Sequence, residues 1–164
     1  SSWTFKLTKP PQPIASPLFG LALFTSLKTV WPLLPFSLKA PNDVFLSDKK
    51  LAGLLLEIVS TGNEHLMILG LGLNVFAAPE SIPHATYLST MGVLVTKVDW
   101  QRFLDVFYTY FTEMAKLSLH QEMPAGLCEQ IKTALNQFPL KKTYVQKVEP
   151  NGHIVTEVSS TPWL

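Results

Sequence analysis

Residues 36–75, FSLKAPNDVFLSDKKLAGLLLEIVSTGNEHLMILGLGLNV, decide the fold class. Phe36–Lys39 extends toward Pro41, whose ring biases Ala40 away from helical angles, and Asn42-Asp43 supplies turn chemistry. VFL then reads as a short strand, SDKK as a hairpin-like connection, LAGLLLEIVS as a long apolar strand and TGNEH as a second turn. The run MILGLGLNVFA is almost wholly apolar and carries two glycines, which predicts a strand buried on both faces. Together these segments form a β-meander.

On the N-terminal side, residues 2–8 (SWTFKLT) alternate apolar with polar or mixed residues, the period of a half-buried strand. KPPQP stops it. Ser16-Pro17 reads as the N-cap and first-turn pair of a helix over about residues 17–30, with Leu18, Leu21, Ala22, Leu27 and Val30 sharing one face. Beyond the meander, residues 78–97 have no clear period. Asp99 reads as the cap of a helix over Trp100–Leu117, with Phe103, Val106, Phe107, Tyr110 and Met114 at three- and four-residue spacing. Pro124 opens another helix through about Asn136, and Thr143–Glu149 with His153–Val158 around Pro150-Asn151-Gly152 reads as a closing hairpin. The expected class is α+β, a mixed β-sheet flanked by helices, with a core over residues 1–137. Residues 138–164 are expected to form a short C-terminal hairpin, a reduced C-terminal domain.

The chain has 164 residues, 47% of them apolar, enough for one core. Thirteen Lys+Arg against twelve Asp+Glu leave a net charge of +1, so no strong field steers it toward nucleic acid or an acidic membrane. The single cysteine, Cys128, excludes an internal disulfide and fits a reducing, cytoplasmic compartment. The apolar run Leu18–Phe24 is far short of the ~20 residues a membrane span needs, and SSWTFKLTKP lacks a signal-peptide pattern. Because that stretch has no initiator Met and already reads as a strand, the chain is expected to enter its domain part-way.

Three elements within the meander carry chemistry. Lys39 and Lys50 are fixed cations at the ends of adjacent strands, suited to phosphate or carboxylate charge. Asp43 can bind Mg²⁺ or accept a proton, and Asn42 presents the paired donor and acceptor that suit a base edge such as adenine. Gly53, Gly70 and Gly72 mark places where a ligand or another backbone approaches closely. The combination describes a nucleotide-plus-acid site. Each piece also has a plainer reading: Pro41-Asn42-Asp43 as a turn, Lys49-Lys50 as a solvated hairpin tip, Glu57 as a strand-end charge. Gly70-x-Gly72 lacks the third glycine and following helix of a dinucleotide fingerprint. His65, His84, His120 and His153 show no metal-ligand spacing, so no resident metal is expected. Cys128 reads as a small buried hydrophobe, and Phe103, Phe107, Tyr108, Tyr110 and Phe111 as core.

The order Lys39-x-Pro41-Asn42-Asp43, then Lys50-Leu51-Ala52-Gly53-x-Leu55-x-Glu57, then Gly70-x-Gly72-x-Asn74-Val75 resembles the catalytic core of the biotin protein ligases. The resemblance is close over residues 39–75 and looser over the flanking elements. It implies a biotin/lipoate protein ligase core of class II synthetase-like type and an ATP-dependent activity. Biotin would attack the α-phosphate, pyrophosphate would leave, and a lysine of a biotin carboxyl carrier protein would capture the biotinyl-5'-adenylate, with Mg²⁺ accompanying ATP. It further implies that Lys50 contacts the biotin carboxyl group and α-phosphate, that Lys39 helps hold phosphate charge, and that Asp43 orients or deprotonates the acceptor lysine. Asn42 and Asn74 match asparagines near the adenine, Gly53, Leu55, Gly70 and Leu73 would line the biotin pocket, and Gly72 would be among the positions that bind substrate or nucleotide.

This sequence departs from the family pattern at Ala40, where a Trp is typical, and the C-terminal segment is short for the family's SH3-like barrel. The family's Gly/Arg-rich adenylate loop and Ser-Thr-Asn segment precede the first strand, and here neither appears; Arg102 is the one arginine. Two expectations follow: residues of the gene product ahead of Ser1 supply them, or the chain is a degenerate, carrier-docking paralogue. A lipoate or octanoate ligase or transferase of the related fold is the enzymatic alternative. Nucleic acid is not an expected partner, because no helix-turn-helix precedes the core and the charge is near neutral, nor is a membrane, because the apolar runs are short.

Overall fold

The computed structural model describes residues 1–137, 144–157 and 160–161. Five strands form the main sheet: β1 (Ser2–Leu7), β2 (Phe36–Lys39), β3 (Asp43–Leu46), β4 (Lys49–Thr61) and β5 (Glu64–Leu73), in the order β1-β5-β4-β3-β2. The pairings between them are antiparallel. An isolated parallel bridge between Lys50 and Ala85 makes the sheet mixed at that point. Three helices, α1 (Ala15–Val30), α2 (Lys97–Leu117) and α3 (Ala125–Asn136), complete the expected α+β architecture. No helix among the described residues is long and apolar enough to cross a membrane.

The helices gather on one face of the sheet. On β1 the alternation SWTFKL places Trp3, Phe5 and Leu7 inward, where the Trp3 ring lies 5.8 Å from Phe107 and Phe5 lies 4.9 Å from Phe111. Trp100, Phe103, Phe107 and Phe111 run as successive ring contacts along α2 because three- and four-residue steps share a helix face. Phe19 of α1 closes on Phe111 at 4.7 Å. Helix α1 is buried on nearly every side rather than on one face, since it touches α2, α3 and strands β2, β3 and β4. Its apolar residues all round are the pattern of a central helix.

Three expectations change. Helix α1 starts before Ser16: its N-cap is Ile14, without a side-chain cap. Pro17 is tolerated throughout a first turn, so burial of Ile14 and Ala15 sets the start rather than the Ser-Pro pair. Helix α2 is capped by Thr96, with Asp99 as the N3 member of a capping box. Hydrogen bonds from the Thr96 hydroxyl and then its backbone N–H hold the Asp99 carboxyl below its ordinary value. Strand β5 is buried on one face only. Met67, Leu69 and Leu71 point inward, while Leu66 and Gly72 are exposed and Ile68 and Gly70 half-buried, because no described helix covers the second face.

The C-terminal strands β6 (Val145–Val148), β7 (Ile154–Thr156) and β8 (Ser160–Thr161) form a separate antiparallel sheet. Asn136 at the end of α3 donates through Nδ2 to the Val145 carbonyl and accepts from its N–H, both at 2.9 Å. Val145 and Val148 enter the main core. The expected hairpin turn at Pro150-Asn151-Gly152 is present, with Gly152 at φ 93°; Thr143 and Val158, the outer bounds of that hairpin, lie outside the described residues.

The turn that carries Asn42 and Asp43 is set by α1. A Cβ built on Gly20 would lie 2.5 Å from the Pro41 carbonyl oxygen and 3.0 Å from Asn42 Cα, so glycine is what lets the helix meet the turn. Gly20→Ala is expected to lower stability by about 1–2 kcal/mol, overpacking outweighing the helix-propensity gain of about 1 kcal/mol. Urea unfolding measures it; an unchanged midpoint would mean that the turn yields freely.

Candidate active site

The uncovered face of the sheet holds a cleft of about 500 Å³ whose lining includes Asp43, Lys50, Gly53, Gly70, Gly72 and Asn74. Register explains the floor. Asp43 pairs with Gly53, Gly53 with Gly72, and Leu55 with Gly70, and directly opposed residues of antiparallel strands present their side chains to the same face. Leu55, 62% exposed, adds an apolar wall.

Lys50 reaches this face by a break in the pairing. Lys50 and Gly53 are three residues apart and would point to opposite faces of an unbroken strand. Along β3, however, Val44 pairs with Ala52 and Phe45 with Lys50, leaving Leu51 as the extra residue of a bulge. Leu51 and Ala52 are consecutively buried, and the bulge returns Lys50 to the side of Gly53. There its Nζ lies 2.7 Å from Asp43 Oδ1. Lysine and aspartate are held at the cleft as a partly exposed ion pair.

A strap over residues 77–87 supplies the opposite wall through Pro79, Ile82 and Ala85. It is fastened beside the ion pair: the Lys50 N–H donates to the His84 carbonyl at 2.8 Å, and the Thr86 N–H donates to the Lys50 carbonyl at 2.9 Å. Asn74 fixes the strap from β5. Its Nδ2 donates to the Thr86 carbonyl at 3.0 Å, and its backbone N–H donates to the Leu51 carbonyl at 3.1 Å. No sequence signal marked the strap, whose walls come from a prolyl stretch without period.

Of the residues singled out from sequence, the cleft brings together Asp43, Lys50, Gly53, Leu55, Gly70, Gly72 and Asn74. Lys39, Asn42 and Leu73 stand outside its lining. Lys39 is the register partner of Asp43 on β2, and its Nζ sits 5.3 Å from the Phe45 ring centroid. Asn42 donates through Nδ2 to the Leu54 carbonyl, tying the turn to β4. Leu73 has the parity of the inward-facing Leu69 and Leu71. Among the described residues no group of three or more His, Cys, Asp or Glu gathers as a metal site. Cys128 is buried in α3, and burial pushes its thiol up.

Comparison with known proteins defines the fold. Among solved structures, the chain superposes on biotin protein ligase from Aquifex aeolicus in complex with biotin and ATP (TM-score 0.68, 21% identity, 98% of this chain and 73% of that one). It also superposes on the Leishmania major biotin protein ligase in complex with biotinyl-5-AMP (TM-score 0.60, 18% identity, 99% and 77%). A biotin protein ligase-like protein of unknown function from Silicibacter gives a TM-score of 0.69 at 12% identity, over 98% and 76%. The fold is that of the biotin protein ligases.

In sequence, the chain is similar to the biotin–[acetyl-CoA-carboxylase] ligase of Mycobacterium tuberculosis, at 42% identity over 77 residues. That match covers 45% of this chain and 27% of the relative, so it spans well under half of the relative's length. No family model matches.

Asn74→Ala is expected to loosen the strap. Losing the Nδ2 bond costs about 1 kcal/mol, and limited proteolysis within residues 77–85 should quicken before global unfolding; cleavage at the wild-type rate would show that Asn74 does not hold the strap.

Proposed function

We propose that this chain carries the acid-activating site of an ATP-dependent biotin ligase, forming biotinyl-5'-adenylate and passing biotin to a lysine of a biotin carboxyl carrier domain. The observation that carries this reading is the Lys50–Asp43 pair over a glycine floor, at the edge of a cleft in a biotin protein ligase fold. The 42% identical stretch and the relatives solved with biotin and ATP or with biotinyl-5-AMP support it.

In this reading the apolar body of biotin lies on Gly70 and Gly72 against Leu55, where low walls admit a ring and an aliphatic tail, and Gly53 lies under the Lys50–Asp43 pair at the carboxylate end. A biotin carboxylate oxygen attacks the α-phosphorus of ATP; the new P–O bond forms as the bond to pyrophosphate breaks. Lys50 lies where anionic charge builds at that centre, so its ammonium stabilises the transition state more than the ground state. Mg²⁺ enters with the ATP phosphates as part of the substrate. Lys39, if its ammonium leaves the Phe45 ring for phosphate, adds a second cation. The amide Nδ2 of both Asn42 and Asn74 is committed to a main-chain carbonyl, so this reading gives the adenine amine to Oδ1 of Asn74, the one of the two that lines the cleft.

The second step needs a neutral amine. Asp43 accepts a proton from the acceptor lysine, the amine nitrogen bonds to the biotinyl carbonyl carbon, and AMP leaves. We assign this chemistry to residues 1–137, with residues 138–164 as a small C-terminal module, and place the protein in the cytoplasm with its carrier.

Lys50→Ala in the complete gene product is expected to cut carrier biotinylation by about 10²-fold or more while carrier binding persists. Mass spectrometry of the carrier reads the transfer and also separates biotin from lipoate or octanoate. Undiminished modification by Lys50→Ala would remove Lys50 from the chemistry, and carrier binding with no modification by the wild type would leave a docking protein.

A further inference from the structure

The three glycines of the cleft floor are not equivalent. A Cβ built on Gly70 meets nothing nearer than Leu55 Cβ at 3.6 Å, and one on Gly72 nothing nearer than the Gly53 carbonyl oxygen at 3.9 Å. Both positions therefore have room for a methyl group within the protein. Gly53 does not: its Cβ would lie 2.5 Å from Asp43 Oδ1 and 3.3 Å from both Cε and Nζ of Lys50.

We infer that Gly53 is a positioning residue, its bare Cα serving as the seat on which the Asp43 carboxylate holds the Lys50 ammonium toward the cleft. Three features fit together. Asp43 stands directly opposite Gly53 in register, so its short side chain passes over that Cα. The bulge at Leu51 brings Lys50 to the same face. The Asp43 side chain is the more enclosed partner at 24% exposure against 46% for Lys50, which makes the carboxylate the fixed post and the lysine the group being aimed. Ordering a four-carbon lysine stem costs rotamer freedom, so a lysine already directed by Asp43 meets an anionic substrate with part of that ordering done.

What the aimed lysine is for rests on the biotin ligase reading, whereas the seat itself concerns protein atoms alone. Gly53→Ala drives the carboxylate off Lys50, because the opposed strands are hydrogen-bonded and cannot part cheaply. Gly72→Ala leaves the pair in place.

The test is the acylation rate of Lys50 by a water-soluble N-hydroxysuccinimidyl acetate, with the adjacent, exposed Lys49 as internal standard and tandem mass spectrometry as readout. In that reaction the neutral amine bonds to the acetyl carbon, N-hydroxysuccinimide leaves, and the amine proton passes to water. Gly53→Ala and Asp43→Asn are each expected to raise the Lys50-to-Lys49 ratio about threefold, the range of a partly exposed ion pair. The double variant should rise no further, and Gly72→Ala should keep the wild-type ratio. A wild-type ratio in Gly53→Ala, or multiplication of the two effects in the double variant, would overturn the seat.

Stability gives a second readout if Gly53→Ala folds poorly: Asp43→Ala added to it vacates the space and is expected to restore the urea midpoint. Failure of that rescue also contradicts the inference. A gene product that lacks biotin-dependent chemistry yet shows these Lys50 rates would overturn the functional reading and leave the seat intact; normal chemistry with unchanged Lys50 rates would do the reverse.

Discussion

One extra residue in β4 governs the site. Without the bulge at Leu51, Lys50 would point to the helical side of the sheet, where a lysine would have to leave water for an apolar core. With it, Leu51 and Ala52 are both buried and Lys50 emerges beside Asp43. The same bulge region binds the strap, since both backbone groups of Lys50 are taken by His84 and Thr86. Sheet register, ion pair and cleft wall thus meet at a single residue.

The rest of the fold keeps that residue in place. Helices α1 and α2 cover one face of the sheet with a continuous aromatic layer, leaving the other face open to the cleft. Helix α1 reaches the Pro41-Asn42-Asp43 turn at Gly20, and Asn42 ties that turn to Leu54. The Asp43 carboxylate is therefore positioned by a rigid turn packed on a buried helix. Preorganised charge of this kind is what the proposed acid activation would need, since such charge requires no reorganisation as a phosphorus centre becomes more anionic.

Much of this was legible in the chain. The alternation SWTFKL, the aromatic steps from Trp100 to Phe111 and the turn residues at 62–63 and 150–152 each follow from local periodicity or backbone preference, and the structure keeps them. Residues at the cleft, Asp43, Lys50, Gly53, Gly70 and Gly72, stand out in the sequence by their chemistry and order. Other features have no local signature. The bulge hides in LAGLLLEIVS because two successive buried residues look like ordinary continuation of an apolar strand. The one-sided burial of β5 depends on which face the helices choose. The Nδ2 commitments of Asn42 and Asn74 and the strap of residues 77–87 exist only once distant segments meet. The start of α1 at Ile14 reflects tertiary burial over local capping.

The central claim, that the cleft beside Lys50 activates biotin with ATP, is tested most directly by exchange of labelled pyrophosphate into ATP. The assay is run with biotin, lipoate or octanoate, on the 164-residue chain and on the complete gene product. Exchange that requires biotin, in either protein, is the predicted result, because it reports the adenylation step without a carrier. Exchange driven by lipoate or octanoate in place of biotin, or no exchange in either protein with any of the three acids, would contradict it.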